Sequence, residues 1–304
     1  MSSSPVVVLA GGTGGAKLAR GLLDVVSPEE LIVVANPGDD IEIYGAYVAP
    51  DADLVTFWLA DRIDERGWGL AGDTFHVMDG LRELGTDIWF NLGDRDLAIG
   101  LQRAEALTAG RRLTEAHAAI TKALGLAATV LPASDQPIRT HVLTNGEWLG
   151  FQEYMIQRRG EGPIEDVEFR GIRSATPTPE VLGAIARARA IIIGPSNPVG
   201  SIAPILELPG LREALQSSPA PSVAVSPLVR GQVIKGPTAE FMRWAGRPLS
   251  SDGIAAHYAG VIDGLVADER TGLVPVLETG MLMDTPASRR RLAEETLRFA
   301  GALG

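Results

Sequence analysis

Directly after the apolar run that begins Val6-Val7-Val8, the chain reads Gly11-Gly12-Thr13-Gly14-Gly15-Ala16-Lys17. Glycines at this spacing let backbone N–H groups come close to an anion, and a helix that starts here offers unpaired N–H groups and the positive end of its dipole. Lys17, one turn further on, adds a full positive charge. The pattern is not a Walker loop, because Leu18 follows the lysine where Ser or Thr is needed. It is not the dinucleotide fingerprint either, because the third glycine would fall at Lys17. Gly11, Gly12, Thr13, Gly14, Gly15 and Lys17 therefore read as a phosphate-binding turn of another type, set against a plain strand–helix turn without a ligand.

Three more polar loops follow apolar runs. Asn36, Asp39 and Asp40 follow "ELIVVA", Ser196 and Asn197 lie between two prolines after "AIII", and Ser226 follows "SVAV". Any one of them could be a capped turn. Together, at the carboxyl ends of neighbouring parallel strands, they would converge on one ligand. Asp51 and Asp53 would point the same way in an extended segment and share a hard cation; alternatively they open a helix, where Asp caps and suits the dipole. Asn91, Asp94 and Arg95 sit in "NLGDRD", where Asp94 and Asp96 equally suit a helix start. This inventory matches Mg²⁺, which takes one or two carboxylates plus substrate phosphates.

Other chemistries are excluded or weakened. There is no cysteine, so disulfides, thiolate catalysis and Cys-based zinc sites drop out. The four histidines include no pair at the helical zinc spacing and read as structural. A Gly-x-Ser-x-Gly elbow is missing, which argues against a serine hydrolase. A net charge of −11 argues against nucleic acid or an anionic membrane as a partner. The first residues lack a signal peptide's charged segment and long apolar core, and no apolar run nears the ~18–20 residues that span a bilayer. A soluble cytoplasmic protein is expected.

The elements that must position these residues alternate strand and helix. "PVVVLA", "ELIVVAN", "ARAIIIGP", "PSVAVSPLV" and "TGLVPVLE" are β-branched runs suited to strands buried on both faces, each beside an amphipathic segment. The reading is an α/β fold with a doubly wound, mostly parallel Rossmann-like sheet. Residues 1–60 and 170–304 form the nucleotide-binding core. Residues 61–169 form a helical and β-hairpin insertion covering the strand ends, its hairpin turning at Asn145-Gly146. "TPEVLGAIARARA" and "SRRRLAEETLRFAGAL" are expected helices.

The full set of motifs is more specific than any one. "GGTGGAKL", "NPGDD", "PDADLVTFWL", "RGWGLAGDTF", "LGDRDLA", "LPASDQPIRTHV", "FQEYMIQRRG", "GPSNPVGSIAPIL" and "VSPLV" run in this order, and the whole chain resembles the 2-phospho-L-lactate transferase family, whose bacterial members include phosphoenolpyruvate transferases. The resemblance implies a Mg²⁺-dependent, dimeric phosphotransferase of coenzyme F(420) biosynthesis. Its donor is a guanosine diphosphate ester of lactate or enolpyruvate, and its acceptor is the ribityl hydroxyl of the 5-deazaflavin FO. GMP leaves.

On that reading the Gly11–Gly15 turn and Lys17 hold the diphosphate, while Ser196, Asn197 and Ser226 line the guanosine side. Asp40 and Asp53 take the family's acidic positions, for the metal and for orienting the hydroxyl. Asp53 and Asn91 face the deazaflavin; some archaeal members carry lysine where Asn91 stands. Two rival readings fit less well. A nucleotide-sugar-binding regulatory protein of the gluconeogenesis factor type would not need the "PDADLVTFW" and "LGDRD" elements. A nicotinamide oxidoreductase would want the missing glycine and an acid, not Asn36, at the end of its second strand.

Overall fold

The computed structural model describes residues 4–304. Seven strands form its central sheet: β1 (Val6–Ala10), β2 (Leu31–Ala35), β3 (Thr129–Pro132), β4 (Ala190–Ile193), β5 (Ser222–Val225), β6 (Gly264–Ala267) and β7 (Val276–Glu278). Their spatial order is β7-β6-β5-β4-β1-β2-β3, and every pairing is parallel. The chain winds outward from β1 to β3, returns to place β4 on the other side of β1, and winds outward again. The strand order therefore reverses between β1 and β4, and ligands of open α/β sheets bind outside the carboxyl ends of the strands at such a point.

The β-branched runs of β1, β2, β4 and β5 are buried on both faces, as their lack of alternation requires, whereas "TGLVPVLE" gives the edge strand β7, whose Val276 and Leu277 are only half-buried. Val7, Leu9, Ile191 and Ile193 face one core layer, and Val6, Val8, Ala10 and Ile192 face the other. Helix α1 (Gly12–Leu22) leaves β1 after a single residue, Gly11. It packs against α2 (Pro50–Leu59) and the C-terminal helix Pro286–Leu303. The two expected helices form as Pro179–Arg187, which buries Val181 and Ile185, and as the C-terminal helix, which buries Leu292 and Ala300.

The middle of the chain carries α3 (His76–Glu83), α4 (Asp94–Thr108) and α5 (Leu113–Ala123). The hairpin turns where expected, with Asn145 and Gly146 both at positive φ (50° and 74°), as a type I′ turn demands. A third strand, Asp166–Arg170, joins its Arg139–Thr144 strand to make a separate antiparallel sheet. One boundary differs from the sequence reading. Residues 129–132, inside the stretch 61–169, are β3 and pair with β2 at the edge of the central sheet. The run "TVLP" is too short and mixed to announce a strand, and pairing with β2 supplies what propensity does not. No helix among the described residues is long and apolar enough to cross a membrane.

Candidate functional site

At the switch point the start of α1 and the loop after β4 are pressed together. A Cβ on Gly14 would lie 1.9 Å from the carbonyl oxygen of Pro195, and one on Gly11 would lie 2.6 Å from Cβ of Ser201. The glycines are thus required by contact as well as by any ligand. The Gly11 N–H donates to Ser196 Oγ at 3.3 Å, and the Gly12 N–H donates to Asp51 Oδ1 at 2.5 Å. A cavity of about 720 Å³ opens over this junction, within the size range of ligand pockets.

The polar end of the cavity is walled by Gly11, Gly12, Thr13, Gly14 and Lys17 from one side, and by Ser196, Asn197 and Ser226 from the other. Lys17 is half-buried, with its Nζ 5.8 Å from the centre of the Trp58 ring. Burial lowers its pKa first, and the charges of Arg289 and Lys235 lower it further. Asn197 Oδ1 accepts from the Val199 and Gly200 N–H groups, which fixes the loop that faces α1.

Four carboxylates, Asp39, Asp51, Asp53 and Asp96, also line the cavity. The Asn36 side-chain amide donates to Asp39 Oδ1 at 2.9 Å and to Asp51 Oδ2 at 2.8 Å, holding two acids side by side. Burial raises both, Asp51 to about 6; the neighbouring Asp51 charge raises Asp39 further. Asp51 and Asp53 lie in the first turn of α2, not in an extended segment, so they diverge. Asp51 turns to α1 and Asn36. Asp53 turns to Arg103, whose guanidinium donates from both Nη atoms to its two oxygens.

Asp40 sits behind the wall. Its Oδ2 accepts from the Tyr47 hydroxyl at 2.9 Å, and its buried Oδ1 has no donor. Burial pushes Asp40 up to about 7, against the pull of Arg139 and the Tyr47 hydrogen bond.

Beneath Asp53 the network continues inward. Arg103 is fully buried and also donates to the Tyr47 carbonyl at 2.8 Å. The Thr56 hydroxyl donates to the Ala52 carbonyl, so the His117 Nε2 at 3.1 Å must be the N–H that donates to Thr56 Oγ1. His117 Nδ1 is then an acceptor, 3.4 Å from Arg103. Burial and the Arg103 charge hold this imidazole neutral, with its pKa lowered to about 4. His117 is structural, as the sequence suggests.

The cavity also has an aromatic lining. Trp68, Trp89, Phe90 and Phe151 stand on its wall with Asn91, whose Oδ1 accepts from Arg82 at 2.6 Å. The rings of Trp89 and Phe90 stack with centroids 5.7 Å apart.

Most of the residues singled out from sequence come together here, but five do not reach the wall. Gly15 is buried against Ala10 and Ser196, while Asn36 and Asp40 support the wall from behind. Asp94 caps α3 by accepting from the His76 and Val77 N–H groups and the Thr74 hydroxyl, and Arg95 points to solvent beside it. Asp94 is a helix-start residue, the alternative that the sequence leaves open for Asp94 and Asp96, whereas Arg95, expected to reach a ligand, does not line the cavity. The reading missed Arg103, Asp96, Lys235 and the aromatic wall. Arg103 had a signal: it interrupts the buried stripe Leu97, Gly100, Arg103, Ala106 of α4, where an arginine needs a buried partner.

Comparison with known proteins points to one family. The family model described as 2-phospho-L-lactate transferase CofD matches residues 6–280. A 2-phospho-L-lactate transferase of Methanosarcina mazei is 38% identical over 266 residues, 87% of each chain. That of Methanocaldococcus jannaschii is 36% identical over 309 aligned positions, covering 98% of this chain and 99% of its own. A phosphoenolpyruvate transferase of Kitasatospora aureofaciens is 40% identical over 271 residues, 86% of this chain and 84% of its own. Among solved structures, a Bacillus halodurans protein superposes with a TM-score of 0.56 at 19% identity, covering 96% of this chain and 91% of the other; this likeness concerns the fold alone.

Proposed function

The chain belongs to the 2-phospho-L-lactate transferase CofD family, and from that premise we propose that it moves a phospho-acid from a guanosine diphosphate ester to the ribityl hydroxyl of FO. The acid is enolpyruvate or lactate, and GMP is released. The observation that carries the reading is what one cavity wall combines. It offers a helix N-terminus and an unpaired Lys17, suited to a diphosphate, together with flat aromatic faces, suited to a deazaflavin ring.

In this arrangement the acceptor hydroxyl oxygen attacks the phosphorus that bears the acid. A new P–O bond forms as the P–O bond to GMP breaks in line, and the hydroxyl proton is lost to solvent or to a wall carboxylate. No covalent enzyme intermediate is required, so positioning and charge neutralisation carry the catalysis. The α1 N–H groups and Lys17 hold the donor phosphates. Ser196, Asn197 and Ser226 face the guanosine, while Trp68, Trp89, Phe90 and Asn91 hold the acceptor ring. Arg103 fixes the direction in which Asp53 presents its carboxylate.

Mg²⁺ belongs to the proposal. Asp40 and Asp53 do not fit a shared cation over the cavity, because Asp40 lies behind the wall with its Oδ1 buried and both Asp53 oxygens accept from Arg103. A cation that neutralises charge on the donor phosphates would instead meet Asp39 and Asp51, which line the cavity side by side. The same reading extends to a cytoplasmic homodimer.

The test is to mix the pure protein with FO, Mg²⁺ and the enolpyruvoyl, lactyl or glyceryl diphosphoguanosine donor, and to follow GMP and the phosphodiester product by mass spectrometry. Product with one donor supports the transferase and identifies its acid. No product with any donor, alongside tight nucleotide-sugar binding, would replace it with the regulatory alternative.

A further inference from the structure

The chain has 27 basic residues, and only three of them, Lys17, Lys122 and Lys235, are lysine. Every ion pair among the described residues is made by arginine. Two of the three lysines line the switch-point cavity, and neither pairs with an acid there. They come from opposite sides. Lys17 projects from the second turn of α1, and Lys235 from the loop that follows the small hairpin Leu228–Val229 and Gln232–Val233.

The two ammonium groups are close enough that the Lys235 charge makes Lys17 harder to protonate, and Arg289 adds to the effect. Arg289 also shares the Trp58 ring with Lys17, its guanidinium carbon 5.2 Å from the ring centre. Asp284 is the one acid that acts in the opposite sense on Lys17. Positive charge from two lysines without an ion-pair partner therefore faces one cavity. An anion with charge on more than one centre would satisfy it. Lysine suits this task better than arginine, because a compact ammonium on a flexible stem can follow a phosphate oxygen without a fixed fork geometry.

We propose that Lys235 is the second cation of the donor diphosphate site, reaching the phosphates across the cavity from Lys17. The inference rests on the guanosine diphosphate reading given above. It adds a substrate-binding residue from the segment after β5, far in sequence from the glycine-rich turn. It also gives the 234–237 loop, which lines the cavity, a role in holding the donor.

Calorimetric titration with GDP and with guanosine, in Mg²⁺, separates the possibilities. The wild-type protein, Lys235→Ala, Lys235→Arg and the remote Lys122→Ala are compared. Lys235→Ala is expected to weaken GDP binding roughly 10- to 100-fold, the usual worth of a charge-assisted contact, and to leave guanosine binding unchanged. Lys235→Arg should recover part of the loss, and Lys122→Ala should match wild type. GDP binding by Lys235→Ala equal to wild type overturns the inference alone, as does an equal loss for GDP and guanosine. Failure of the wild-type protein to bind GDP overturns the functional reading and this inference together.

Discussion

Arg103 and Asp53 form a two-pronged ion pair directly beneath the cavity wall, with the arginine fully buried and the Asp53 side chain 5% exposed. The pair ties α4 to the first turn of α2, and through the Tyr47 carbonyl it also ties both to the hairpin of Ile41–Ile43 and Ala46–Val48. Removing one partner leaves the other charge buried and alone, which costs more than the intact pair contributes. Arg103→Met should therefore destabilise the protein by about 3–5 kcal/mol. The double variant Arg103→Met with Asp53→Asn should recover part of that loss. Urea denaturation of the three proteins checks this, and a single variant as stable as wild type would refute it.

His117 makes stability depend on acid. Its pKa is about 4 in the folded protein, against 6.5 for an ordinary histidine. Between these values the unfolded chain binds a proton that the folded chain refuses, so stability is lost as pH falls from 6.5 toward 4. The full loss is roughly 3 kcal/mol from this group. His117→Gln, which keeps a donor for Thr56, should flatten that part of the profile. Denaturation midpoints at pH 7, 5.5 and 4.5 test it; parallel profiles for wild type and variant would contradict it.

Asp96 acts in the opposite direction. Burial, and then the charges of Asp53 and Asp73, raise its pKa to about 7. Over the range from about 4 to 7 the folded protein holds the proton more tightly than the unfolded chain, so ionising Asp96 removes stability as pH rises. Asp96→Asn should stabilise the protein at pH 8 by on the order of 2 kcal/mol, with no gain at pH 4. A pH-independent difference in melting temperature would rule out this origin.

Gly14→Ala should loosen the site. Its new methyl would lie 1.9 Å from the Pro195 carbonyl oxygen, so the start of α1 and the loop after β4 must separate. A cost of about 1–3 kcal/mol is expected for such overpacking, together with weaker GDP binding. Gly301→Ala, in open space on the C-terminal helix, should be neutral or stabilising. Melting and GDP titration of both variants test the contrast, and equal behaviour would contradict it.

The strands and the switch-point loops were legible because their signals are local. An unbroken run such as "AIII" must be buried on both faces, and a glycine cluster at its neighbour's end marks a close approach. β3 was not legible, since its four residues become a strand only by pairing with β2. The cavity's polar end could be read from Gly11–Gly14, Lys17, Ser196 and Asn197. In sequence Asp94 reads equally as ligand or helix-start residue, and only the fold shows it accepting from the start of α3. The roles of Arg103 and Lys235 depend on distances across the fold. Asp53 lies 50 positions from Arg103, and no spacing rule joins them.

The most direct measurement is a crystal structure of the protein with GDP, FO and Mg²⁺ bound together. The account predicts the diphosphate over the N–H groups of Thr13 and Gly14, between Lys17 and Lys235, with the deazaflavin ring against Trp89 and Phe90 and its ribityl hydroxyl pointing at the phosphates. A guanine nucleotide bound anywhere other than the crevice between β1 and β4, or a deazaflavin too far away for its hydroxyl to reach the phosphates, would contradict it.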